Sequence, residues 1–164
     1  MKLQSPLIIG VLLLAGLIGL NQRATHIDAI SEMEHAATPQ WKVAISLNPS
    51  TVLLENLDLA VNVQSSRSGY LTLLQRGTDG TDSVVFPNAL DQDNHIEADV
   101  PVILPRPHWK LRAAPPAGSG RVLAIVTDKP LNIESVQQSL SSGRHIELAV
   151  QSYGAASANY LERE

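Results

Sequence analysis

In a chain without thiols, metal chemistry falls to histidine and the carboxylates, and this chain has five histidines, at 26, 35, 95, 108 and 145, and no cysteine. No two histidines make a His-x-x-x-His or His-Glu-x-x-His pair. The densest ligand-bearing stretch is Asp91-Gln-Asp93-Asn-His95-Ile-Glu97, whose alternate residues could offer oxygen and nitrogen to one ion. Counted as a calcium loop, it has Ile96 where the sharp-turn glycine belongs and Val102 where the bidentate glutamate belongs, so that pattern fails. The stretch reads instead as a solvated loop that holds its backbone through Asp and Asn side chains. His145 and Glu147 stand two apart, and two ligands do not make a site.

Other chemistries lack their constellations. Serines such as Ser65, Ser66, Ser141 and Ser142 lie in polar turns or near a helix end, and no Gly-x-Ser-x-Gly elbow is present. Gly77, Gly80, Gly118 and Gly120 mark turns, and no glycine-rich phosphate loop precedes a helix. The expectation is therefore no catalytic residue, no cofactor and no bound metal. One feature remains, a basic stripe in which Arg106, His108, Lys110 and Arg112 recur every second residue. From His108 onward these side chains should leave one face of a strand while Trp109 and Leu111 pack inward. In a chain of net charge -4 such a local reversal suits an acidic partner or anionic headgroups, and it also suits a solvated strand protected from edge aggregation. Six aromatics in 164 residues and the acidic balance argue against nucleic acid.

The elements that must carry this stripe begin after an apolar start. Residues 6–20, PLIIGVLLLAGLIGL, hold no charge and follow Lys2. At 1.5 Å per residue they span about 22 Å as a helix, the length of a signal-peptide core or a short membrane anchor. No small-x-small cleavage pair follows cleanly, which favours retention as an anchor, and the positive start places the bulk of the chain outside the cytoplasm. The reading is residues 1–23 as signal or anchor in the inner membrane, with the rest facing the periplasm, or released into it if cleavage occurs. Residues 24–40 read as a polar tether with one short helical stretch at 29–35, and residues 41–153 as a mostly β domain. The small and polar 154–164 read as a flexible tail.

Within the domain the period is two. Trp41, Val43, Ile45 and Leu47 alternate with polar or small residues, as do Leu57, Leu59, Val61 and Val63. Residues 70–75 and 83–86 flank Asp79-Gly80, a hairpin signal. Residues 96–103 extend to Pro105, residues 108–113 alternate, and 121–127 is a continuous apolar run of the kind buried on both faces. One helix is signalled by Asn132 as N-cap, the stripe Ile133, Val136 and Leu140, and Gly143 at the exit. Residues 145–153 read as the last strand. The sum is a single β-sandwich or open-barrel-like domain with one short helix, preceded by a hydrophobic N-terminal helix.

Seven spaced elements, SGYLTLL (68–74), DG (79–80), VFPN (85–88), DNHIEA (93–98), VILP (102–105), WKLRAAPPAG (109–118) and VLAIVTDKP (122–130), together resemble a bacterial domain-of-unknown-function family, number 4384, over about residues 50–130. The resemblance implies a mostly β, exported or envelope-facing domain, used as an adaptor or sensor beside signalling modules. It carries no catalytic residues. The functional expectation is a membrane-tethered periplasmic interaction or accessory domain of an envelope complex, a secretion system being the concrete case, with an envelope or inner-membrane protein as partner. A cell-wall or small-ligand sensor is the alternative. An enzyme of cell-wall metabolism would need paired carboxylates converging in a cleft, which sequence spacing does not reveal.

Overall fold

A computed structural model describes residues 28–53 and 58–164. The apolar run 6–20 and the first four residues of the expected tether, 24–27, lie outside the described residues, as does Leu57. Among those described, no helix is long and apolar enough to cross a membrane.

The chain is mostly β, with two helices. Helix α1 spans Ala29–His35, and strands follow at Val43–Asn48 (β1), Thr51–Leu53 (β2), Asp58–Ser65 (β3), Gly69–Arg76 (β4), Asp82–Phe86 (β5), His95–Ile96 (β6), Val102–Leu104 (β7), Leu111–Arg112 (β8) and Gly118–Thr127 (β9). Helix α2 spans Ile133–Ser141 and the last strand, β10, spans Tyr153–Arg163. One sheet runs β1-β3-β7 with β8 also on β3; the other runs β2-β10-β9-β4-β5 with β6 on β4. The sheets do not close into a barrel. They share one apolar cluster, to which Leu59, Val61 and Val63 of β3 come from the smaller sheet and Leu71, Leu73, Val122, Ala124 and Val126 from the larger.

The larger sheet has a second covered face. Ile30 and Met33 of α1 and Val136 and Leu140 of α2 pack on Leu74, Leu123 and Ile125. This makes three layers, and it explains why β9 reads as an unbroken apolar run: alternate residues enter two different cores. The hairpin β4–β5 turns at Gly80, whose φ of +82 is the left-handed conformation that glycine adopts without strain. Helix α2 has the signalled caps, with Asn132 Oδ1 accepting from the Ser135 N–H and Gly143 at φ +61.

Three expectations change. The segment 29–35 is helical as its pattern suggests, but it is docked: Ile30 is fully buried, so the folded unit starts by Asp28 instead of 41. Residues 145–152 are irregular, with Ile146 buried against the helices, and the strand comes afterwards. The stretch expected as a flexible tail is that strand, paired with β9 from Tyr153↔Thr127 to Glu162↔Gly118 and with β2 at its end. Its small residues reflect crowding. A Cβ on Gly154 would sit 2.6 Å from Trp41 Cδ1 and from Val43 Cγ2, while Ser157 donates from its N–H and hydroxyl to the Glu34 carboxylate at 3.0 and 2.8 Å.

A basic, apolar-walled groove as the candidate interaction site

The turn after β7 brings the stripe residues to two carboxylates. Residues 105–110 are not strand; only Leu111–Arg112 pair with β3, in the register Leu59↔Leu111 and Asp58↔Arg112. The expected single strand face for His108, Lys110 and Arg112 is thus corrected: only Arg112 of the three lies in a strand. Proline at 105 and 107 removes two ladder N–H groups, so the chain turns before it can pair. The inward set behaves as its alternation suggests, with Trp109, Leu111 and Ala113 buried and His108, Lys110 and Arg112 exposed.

Arg106 turns away from the others. Its Nη1 donates to Asp91 Oδ1 and, at 2.9 Å, to the Asp93 carbonyl, while its guanidinium stands 5.9 Å over the Phe86 ring. Asp91, 5% exposed, uses its other oxygen to accept from Trp109 Nε1 at 2.9 Å, and Trp109 stacks on Phe86 at 6.1 Å between ring centroids. This is a structural lock. His108 donates from Nε2 to the Leu90 carbonyl at 2.8 Å.

Lys110 and Arg112 are arranged differently. Lys110 Nζ lies 2.6 Å from Asp58 Oδ2 and Arg112 Nε 2.7 Å from Asp58 Oδ1, and both cations are 63% exposed. Those two hydrogen bonds hold the Asp58 carboxyl below its ordinary range. Among the described residues one carboxylate faces the two cations, and at this exposure the pairs exchange readily with water or with another anion. Beside them runs an open groove of about 410 Å³. Its apolar walls come from Val85, Leu90 and Leu111, and Gln75 and Asn88 supply polar groups. Leu90 is 67% exposed, one of the few large apolar side chains left in water.

The remaining candidates resolve into scaffolding. In the 91–97 stretch, Asn94 Nδ2 donates to the Leu71 carbonyl and His95 packs edge-on against Tyr70. Glu97 accepts from Ser68 Oγ, so the loop holds its own backbone as the sequence reading has it. His145 pairs with Glu32 of α1 at 3.0 Å and not with Glu147 in a metal site. Among the described residues no group of three or more His, Asp or Glu could hold a metal ion. Ser65 is buried, accepting from Trp41 Nε1 at 2.8 Å, and Ser141 and Ser142 bond to the last carbonyls of α2.

Asp58 and Gln75 went unremarked in the sequence as site residues, and Asp91 stood out only for metal chemistry. No local signal marks these contacts, because the side-chain partners that build the site lie 52 and 54 residues away for Asp58, 37 and 85 for Gln75, and 15 and 18 for Asp91. No curated protein and no solved structure matches the chain. The model of a family described as a domain of unknown function (DUF4384) does match, over residues 55–130, the segment that carries β3 to β9 and the groove.

Proposed function

We propose that the chain is a membrane-tethered periplasmic interaction domain, an accessory of an envelope complex such as a secretion system, acting by binding and not by catalysis. The observation that carries the reading is the groove: Lys110 and Arg112 share Asp58 beside the exposed Leu90 and the half-buried Val85, in a chain of net charge -4. Such a surface attracts an acidic protein segment and offers it apolar contact area, charge steering the encounter and burial holding it. The sensor alternative gains little here, because Trp109 is only 8% exposed and offers no stacking platform to a wall fragment.

The docking of α1 supports the tethered arrangement. If residues 6–20 lie in the membrane, residues 21–27 are the whole link, and seven residues reach at most about 25 Å. The link enters where Asp28 meets Arg76 at 2.8 Å, next in the chain to Gln75 on the groove lining. Arg76 and Gln75 leave opposite faces of β4, so a short link would hold the whole domain, and the groove with it, within reach of a neighbouring envelope protein without placing the groove at the link itself.

Photo-crosslinking from position 90 in intact cells tests this. We expect a defined envelope partner to be captured by the wild-type chain in the membrane fraction and lost with Lys110→Glu and Arg112→Glu together. No adduct across several growth states, or an adduct indifferent to charge reversal, overturns the reading.

A further inference from the structure

The groove contains a nearly buried hydrogen-bond acceptor that no group among the described residues satisfies. Gln75 is 7% exposed and lies on the groove lining. Its Nε2 donates to Tyr160 Oη at 2.9 Å and faces the Arg112 carbonyl at 3.5 Å. A carbonyl oxygen only accepts, so the nitrogen must occupy that side of the amide and Oε1 the other. Among the described residues Oε1 has no hydrogen-bond partner, and it is not one of the fully enclosed orphans, which are Thr72 Oγ1 and both oxygens of Glu162. The neighbouring Asn88 offers no free acceptor of this kind: Oδ1 accepts from the Leu90 and Asp91 N–H groups, and Nδ2 donates to the Val85 carbonyl.

We propose that the groove reads a hydrogen-bond donor as well as charge, taking an acidic protein segment that presents a side chain with an apolar body and an N–H or O–H tip, tryptophan or tyrosine in chemical terms. The proposal rests on the groove reading given above. The ring body packs on Val85, Leu90 and Leu111, its tip donates to Gln75 Oε1, and an adjacent carboxylate reaches Lys110 and Arg112 in place of, or beside, Asp58. Aromatic residues with a polar tip suit such a site because they bury a large area while satisfying a group the groove leaves open. An acceptor so nearly buried gains more from a donor than an exposed one, since little water competes for it.

The test is an NMR titration of the full chain, labelled with nitrogen-15 and held in zwitterionic micelles. The probe is the peptide acetyl-Asp-Trp-Asp-Glu-amide, with two comparison peptides. One carries 1-naphthylalanine, a ring of the same size without the N–H, and the other carries lysine at the acidic positions. We expect saturable shifts of the Gln75 side-chain amide and the Leu111 N–H with the tryptophan peptide, about fivefold weaker binding of the naphthyl peptide, and none with lysine. With Gln75→Met the two acidic peptides should bind alike. Equal affinity of tryptophan and naphthyl peptides for the wild-type chain overturns the donor inference and leaves the charge-read groove standing. Failure of both acidic peptides, or equal binding of the lysine peptide, overturns both. Shifts at Lys110 and Arg112 with anionic-lipid nanodiscs but with no peptide make the stripe a lipid contact and overturn both as well.

Discussion

Asp91 shows how a ligand-type residue becomes a brace. Buried and bound by Arg106 and the Trp109 N–H, it ties the turn after β7 to the Phe86–Trp109 stack, of which Trp109 lines the groove. Asp91→Ala should cost about 2–4 kcal/mol in urea unfolding, because it strands a cation and an indole N–H together. Thr72 makes the opposite case, a fully buried hydroxyl without a partner among the described residues; Thr72→Val should raise stability by about 1 kcal/mol in urea unfolding. Burial pushes the Asp28 carboxyl up, but hydrogen bonds from Ser31 and the guanidinium groups of Arg76 and Arg121 outweigh it and hold the group below its ordinary 3.8. A depressed carboxyl contributes stability above the ordinary value and loses it as pH falls through the folded one. Asp28→Asn should therefore be slightly less stable than wild type near neutrality, and the difference should close below about pH 4 in thermal melts run across pH.

At the level of elements, the decisive strand is the one whose residues least resemble a strand. Gly154, Ala155, Ala156, Ser157 and Ala158 carry weak β signal because β10 is squeezed between Trp41 and Val43 on one side and α1 on the other. The alternating residues 145–153 mimic a strand, yet Ile146 and Leu148 serve as a strap that packs on the second core without joining a sheet. Ending the chain after Ser152 should abolish cooperative unfolding and amide dispersion, since β10 is the partner of both β9 and β2. The family-matched segment 55–130 leaves β9 without that partner and the outer face of the large sheet without its helices, so it should not fold when expressed alone. Gly154→Ala should cost about 1–3 kcal/mol by forcing Trp41 aside.

For the molecule as a whole, the three layers set where the groove can act. Helix α1 is held on the sheet through Ile30, Met33 and the Asp28–Arg76 pair, and in the sequence seven residues, 21–27, stand between it with its cap and the apolar run. On the proposed function, inserting about 20 Gly/Ser residues after Arg23 should leave the chain in the membrane fraction but lower the crosslinking yield from position 90, because a longer link dilutes the groove away from its partner. An unchanged yield would show that the partner comes to the groove from beyond the membrane surface.

What local spacing determined was considerable. Strand alternation in β1 and β3, the hairpin at Asp79-Gly80, the capped α2 and the doubly buried β9 were all legible, because each depends on residues within one or two turns of one another. The exposed cations of the stripe were legible for the same reason. Only the tertiary structure decided that Lys110 and Arg112 share Asp58 while Arg106 defects to Asp91, that Gln75 supplies an open acceptor beside them, and that a run of small residues is a central strand. Those outcomes depend on pairings between residues far apart in the chain, and on steric room that a neighbour leaves or takes, neither of which a local pattern encodes.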